Sequence, residues 1–233
     1  MTESISIPEL RYGAIDAALV QRWSALEAEE DGAFFAVNLM AYRDMADYGD
    51  EVDRPTISGR EADDRYAPLG PLAKAGATVV LFADVAAQQG SKPRWDRVAI
   101  VRYPSRRAFL DMQASEEFLA LHLHKEAGMA KTILAACVPS SPGVSAPGVL
   151  VMRVARSDEV LPNAPGATRV VTFDVEGIVI GDGRTYDHVA IDACEDEAAL
   201  AASLAADVAL SDYFAIQLDA ALVDTVARAV TPR

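Results

Sequence analysis

Trp95-Asp96-Arg97-Val98-Ala99-Ile100 (WDRVAI) and Tyr186-Asp187-His188-Val189-Ala190-Ile191 (YDHVAI) are nearly the same six residues written 91 positions apart. A second pair keeps step with the first: ATVVLFADV begins at 77 and ATRVVTFDV at 167, 90 positions apart. Two related stretches at almost one offset are much harder to obtain by chance than either alone. The chain therefore reads as one unit written twice.

Working outward, the order of elements repeats. Residues 14–30 form a predicted helix on the spacing of Ile15, Leu19, Trp23 and Leu26. FFAVNLMAY, 34–42, is a strand rich in aromatic and branched residues. Residues 43–58 form a loop, and 59–76 are helical in part, with Pro68 and Pro71 at a start or kink and Gly76 as a stop. Strands follow at 77–85 and 95–103, with AAQQGSKPR read as a turn between them. Ser105 caps a helical region that restarts at Ser115 and ends near Gly128, and 131–138 is a fourth strand. PSSPGVSAPG, 139–148, is the clearest linker. Beyond it come strands at 149–155, 167–175 and 186–193, an Ala- and Leu-rich helix at 195–210 and a strand at 213–224.

Each half thus reads β-α-β-β-α-β, the split βαβ or ferredoxin-like unit. The expected fold class is α+β, with an N-terminal helical extension at 1–33, repeat one at 34–139, a linker at 140–148 and repeat two at 149–233. The stretch from the first strand to the second is much longer in the first copy (34 to 77) than in the second, so the second copy has a shortened or lost first helix. One such unit leaves a sheet face bare. Two packed face to face around a central cavity make an intramolecular pseudo-dimer. The alternative is two independent domains on a string.

GREADDRYAPLGPLAKAGATVVLFADV, then WDRVAIVRYPSRRAFLDMQASEEF, then HKEAGM, resembles a family of uncharacterised proteins, DUF1330-like, in the dimeric α+β barrel superfamily. The likeness spans about residues 34–138 and rests on a W-x-x-V strand, a Pro-Ser turn, an S-x-E-F stretch and the HKEAG segment. The second half has Glu195-Asp196 in place of the Pro-Ser turn and lacks HKEAG. The resemblance implies a dimeric-barrel-like fold. Its superfamily spans cofactor-free monooxygenases, haem-binding enzymes, lactone isomerases and ligand-binding regulators, so fold alone selects no activity.

Composition narrows the partners. With 21 Lys plus Arg against 35 Asp plus Glu, the net charge of −14 disfavours phosphate backbones and anionic lipid, so no nucleic acid and no membrane are expected. No run approaches the roughly 18 apolar residues of a membrane span. The N-terminus has no secretory pattern, and Cys137 and Cys194 read as buried free thiols, which points to the cytoplasm. The expected partner is a small-molecule ligand. A homodimer of the pseudo-dimeric chain is compatible with this scheme. No GxGxxG, GxxxxGK[ST] or GxSxG occurs in a suitable context.

Strand alternation sorts candidate site residues. Phe35, Val37, Leu39 and Ala41, with Val98 and Ile100, are expected under the helices. Phe34, Ala36, Asn38, Met40 and Tyr42, with Trp95, Arg97, Ala99, Val101 and Tyr103, are expected to face the central cavity, joined by Phe82 and, from the second half, by Tyr186, His188, Ala190 and Asp192. Asn is depleted in strands, so Asn38 is either a satisfied structural amide or a donor to a ligand carbonyl. His122 and His124 lie about 200° apart on a helix and cannot serve one site, so no metal is expected. The resemblance favours His124, which opens HKEAG, as a general base, and implies haem as the one possible cofactor through a His on this helix. His188 is a second candidate base. Met40, Tyr42, Arg43, Tyr66, Phe82, Trp95, Arg97 and Tyr103 are expected to bind substrate, and residues 43–58 would form a lid. The expected function is an enzyme with an apolar pocket: cofactor-free oxygenation, isomerisation or other proton abstraction on an aromatic or polyketide-like compound. A non-catalytic ligand- or haem-binding protein is the alternative.

Overall fold

The computed structural model describes residues 9–49, 56–206, 210–219 and 228–229. Its centre is a closed antiparallel barrel of eight strands: β2 (Phe34–Tyr42), β3 (Thr78–Gly90), β4 (Arg97–Tyr103), β5 (Met129–Pro139), β6 (Val149–Arg156), β7 (Ala167–Gly181), β8 (His188–Cys194) and β9 (Ser211–Asp219). They run β7-β5-β2-β4-β3-β9-β6-β8 and close by β8 pairing back on β7; the two-residue β1 (Ala14–Ile15) adds to β7 from outside. Within each half the order is fourth, first, third, second: β5-β2-β4-β3 and β9-β6-β8-β7. The halves join where the second strand of one meets the fourth of the other, at β3–β9 and β7–β5.

Those junctions correct one expectation. AAQQG was expected to turn, yet it continues β3 to Gly90, because Val85 to Gly90 have a partner in Leu218 to Phe214 of the other half. A polar stretch becomes strand where a free edge needs its backbone groups satisfied. The long β7 does the same, pairing β8 through its first half and β5 through its second. The expected final strand is β9, and its predicted end at 220–224 falls outside the described residues.

The two faces of β2 are the reverse of expectation. Phe35, Val37, Leu39 and Ala41 point into the barrel, with Val98 and Ile100, and pack against Val189, Ile191, Phe214 and Ile216 of the second half. The Phe35 and Phe173 rings lie 5.2 Å apart. The interior is a filled core. Alternation separates two sets but does not say which lies where. The uniformly apolar set took the barrel interior, the most fully enclosed place in the molecule.

The other face of β2 lies under helices: α2 (Gly59–Tyr66), α3 (Leu69–Lys74), α4 (Arg106–Gln113) and α5 (Glu116–Gly128). Ser58 opens α2 in a capping box with Glu61, and Ser105 and Ser115 cap α4 and α5. Gly59 and Gly128 let α2 and α5 touch: a Cβ on either would fall 2.5 Å from the other's carbonyl oxygen. α1 (Ala17–Ser24), capped by Asp16, lays Trp23 on Phe34 and Phe109, and its indole Nε1 donates to Glu176 at 2.7 Å. In the second half α6 (Glu197–Ala205), together with Leu161 and Ala164 from the β6–β7 connection, covers the sheet. No helix among the described residues is long and apolar enough to cross a membrane.

Candidate functional site

Between the outer face of β2–β4–β3 and the helices lies a cavity of about 410 Å³. Ala36, Asn38 and Met40 of β2 and Ala99, Val101 and Tyr103 of β4 make its floor; Tyr66, Leu72, Phe118, His122 and Lys125 come from the helices above. The two floor alanines are short where the helices stand off the sheet, and the space follows from that. The size and the mostly apolar wall with a few polar groups suit a small organic ligand.

Four polar features enter it. Asn38 lies opposite Ala99 on one side and Leu134 on the other. Its carboxamide Oδ1 is buried with no hydrogen-bond partner among the described residues. His122 Nε2 lies 2.7 Å from the Tyr12 hydroxyl, and its ring stacks on Phe118 at 5.5 Å. Burial, with Lys125 nearby, pushes His122 down to about 4, so the imidazole is neutral at pH 7. Burial also pushes the Tyr12 phenol well above its usual range, so this pair is two neutral groups sharing a proton. Lys125 is 4 % exposed, and burial pulls its ammonium down to about 8, against the carboxylates of Asp63 and Glu126. Asp63, buried in the α2 wall, accepts from the Tyr42 hydroxyl at 2.6 Å and from Arg97 Nη1 at 3.1 Å.

Of the residues expected in the site, Asn38, Met40, Tyr66, Phe82 and Tyr103 line the cavity. Tyr42 and Arg97 stand behind the Asp63 wall. Arg97 is fully engaged by Asp63, Asp64 and Asp84 and lies 4.6 Å over the Phe82 ring, so it braces the wall. The other four are elsewhere. Arg43 clamps backbone, donating its N–H to Gly128 and accepting from Gly59. Trp95 precedes β4 and packs in the barrel on Phe214. His124 Nδ1 meets the Tyr48 hydroxyl at 2.8 Å, outside the cavity lining. His188 lies in the second half with Nδ1 3.1 Å from Asp174. His122 and His124 do point apart, but the one that enters the cavity is His122. Phe118, His122 and Lys125, spaced i, i+4 and i+7 on one face of α5, were the signal available for this wall. Tyr12, reaching in from the N-terminal segment, had none.

The second half places a different group at the corresponding position. Arg153 lies opposite Ala190 as Asn38 lies opposite Ala99. Its guanidinium, fully buried, donates through Nε to Asp192 at 2.8 Å; Arg169 donates to the other Asp192 oxygen at 2.5 Å and to Thr172 and the carbonyls of Leu161 and Pro162. Among the described residues no group of three or more His, Cys, Asp or Glu could hold a metal ion.

No family model matches the chain, and no curated protein matches it. Among solved structures it is similar to a protein of unknown function from Rhodopseudomonas palustris, at 24 % identity, covering 56 % of this chain and 98 % of the other, with a TM-score of 0.48. It is also similar to a variant chlorite dismutase from Candidatus Nitrospira defluvii, at 9 % identity, covering 90 % and 98 %, with a TM-score of 0.46. The architecture of this chain, read from its own strand pairing, is α+β on an eight-stranded antiparallel barrel.

Proposed function

We propose that the chain is an enzyme that holds a small, largely apolar organic molecule in the cavity under α2–α5 and moves a proton on it, as in isomerisation or cofactor-free oxygenation of an aromatic or polyketide-like compound. One observation carries this reading: the Asn38 carboxamide oxygen is buried on the cavity floor with no partner among the described residues. Such a group costs about 1–3 kcal/mol unless something satisfies it. A carboxamide offers a donor and an acceptor side by side. It therefore suits a substrate that alternates between a carbonyl, which accepts from the amide, and an enol, which donates to the oxygen. The neutral His122–Tyr12 pair supplies a proton carrier in the same cavity, taking the role first given to His124. Met40, Leu72 and Phe118 keep water from the reacting atoms.

Haem fits these residues poorly. The imidazole that lines the cavity has its Nε2 engaged by Tyr12 and its ring stacked on Phe118, and His124 is turned to Tyr48. The matching strand order of the two halves, and Arg153 at the register position of Asn38, support reading the chain as tandem ferredoxin-like units, 34–139 and 149–233, folded as an intramolecular pseudo-dimer.

Native mass spectrometry of the purified protein tests the site. A retained small molecule is expected in the parent chain and absent from Asn38→Ala, with unchanged circular dichroism. Equal retention by both would remove Asn38 from ligand binding and with it this function.

A further inference from the structure

Lys125 carries information about the ligand's charge that Asn38 does not. It enters the cavity from α5, one turn beyond His122, and is held between two aromatic faces: its Nζ lies 5.6 Å from the Tyr12 ring centre and 5.2 Å from that of Tyr66. No described carboxylate lies within 4.0 Å of it, and no hydrogen bond to it is found among the described residues. The carboxylate that acts on it most strongly, Asp63, is already shared between Tyr42 and Arg97. The titratable groups around it are Tyr12, Tyr66, Asp63, Glu126 and His122, and of these only the two carboxylates bear charge of the right sign. Ring faces attract a cation weakly, far less than removal from water costs it. The rings therefore orient the ammonium without neutralising it.

We propose that the ligand of this cavity carries an anionic oxygen, a carboxylate, enolate or phenolate, and that Lys125 pairs with it while the apolar walls take the rest of the molecule. The inference rests on the cavity being a small-molecule site, as proposed above. It adds the substrate class: a compact aromatic or polyketide-like acid rather than a neutral compound. In an enolisable substrate the same ammonium would face the charge that develops on oxygen, beside the Asn38 amide.

The test is a matched pair of probes, 2-naphthoate and 2-naphthamide, titrated by calorimetry at pH 7. They share shape and differ in charge. The parent chain is expected to bind the anion about tenfold or more tightly than the amide, as a charge-assisted pair would give. Lys125→Met is expected to abolish that preference, leave the amide affinity in place and raise the urea midpoint of the ligand-free protein, since it removes a buried charge with no carboxylate within 4.0 Å among the described residues. Equal affinities for the two probes in the parent chain would overturn the anion inference and leave the cavity standing. Failure of both probes to bind would overturn the cavity reading and this inference together. The comparison in the parent chain decides the matter even if the variant does not fold.

Discussion

Asp192→Leu should be among the most damaging single substitutions in the second half, far from the cavity. The Asp192 carboxylate, on β8, is fully buried and accepts from Arg153 Nε at 2.8 Å and Arg169 Nε at 2.5 Å, with the Ser203 hydroxyl at 3.4 Å. Leucine removes the charge that both guanidiniums share and turns hydrocarbon toward them. Removing one partner of a buried ion pair costs about 3–5 kcal/mol, against a total stability of about 5–15 kcal/mol. With a urea slope of about 3 kcal/mol per molar, the midpoint falls by about 1–2 M. The informative comparison is the double variant Arg153→Met/Asp192→Leu, which removes charge and counter-charge together. Arg169 keeps its bonds to Thr172 and to the Leu161 and Pro162 carbonyls. The double variant should therefore be more stable than Asp192→Leu alone, with a coupling of about 2 kcal/mol or more. Urea unfolding followed by tryptophan fluorescence measures all four chains, the parent, Asp192→Leu, Arg153→Met and the double variant. A loss below about 1 kcal/mol for Asp192→Leu, or simple additivity in the double, would refute the reasoning that this cluster is held by mutual charge compensation.

Two further outcomes follow from the first half. Gly128→Ala places a methyl 2.5 Å from the Gly59 carbonyl and 3.0 Å from the Ala62 Cβ, so α5 must move off α2. It should cost about 1–3 kcal/mol in a melting experiment and weaken ligand binding, because Lys125 and Asp63 ride on those helices; an unchanged melt would count against the close crossing. Stability should also fall in mild acid through His122. Its folded form takes a proton only near 4, whereas the unfolded chain takes one near its ordinary 6.5, so its contribution is present above about 6.5 and lost as pH drops toward 4. The urea midpoint of His122→Gln should decline less over that window than that of the parent chain, and parallel curves would contradict a buried neutral imidazole.

What the sequence made legible follows the range of its signals. Period-two alternation and the twofold WDRVAI stretch are local and written into the chain, so the strands and most of their order could be read. The long junctions were not, because AAQQG becomes strand only through Leu218 to Phe214, more than a hundred residues away. The direction of each face was also hidden. Phe35 and Phe34 are equally apolar, and only closure of the barrel decides that Phe35 meets Phe173 while Phe34 meets Trp23. Asn38 stood out because a carboxamide within an apolar strand violates a local preference. Lys125 did not, since a lysine near the end of a helix is ordinarily a surface residue suited to the helix dipole; its burial is made by Tyr12 and Tyr66, which arrive from distant segments.

The size of the cavity bears on whether it is a site or a flaw. The cavity of about 410 Å³ is partly open to solvent, so it is no sealed void in the core. At the register position of Asn38 the second half instead places Arg153, paired with Asp192 beside Arg169. An open cavity must be filled, by water when free and by ligand when bound. Water there would be served by Asn38, Lys125 and Asp63 but poorly by Met40, Leu72, Phe118 and the two floor alanines. Releasing water from those apolar walls favours a largely hydrocarbon ligand, while the polar groups that held it demand an oxygen in return. Asn38 in the first half thus keeps an unsatisfied oxygen where Arg153, at the matching register position of the second half, is paired with Asp192, and this difference supports the proposal that the ligand binds in the first half.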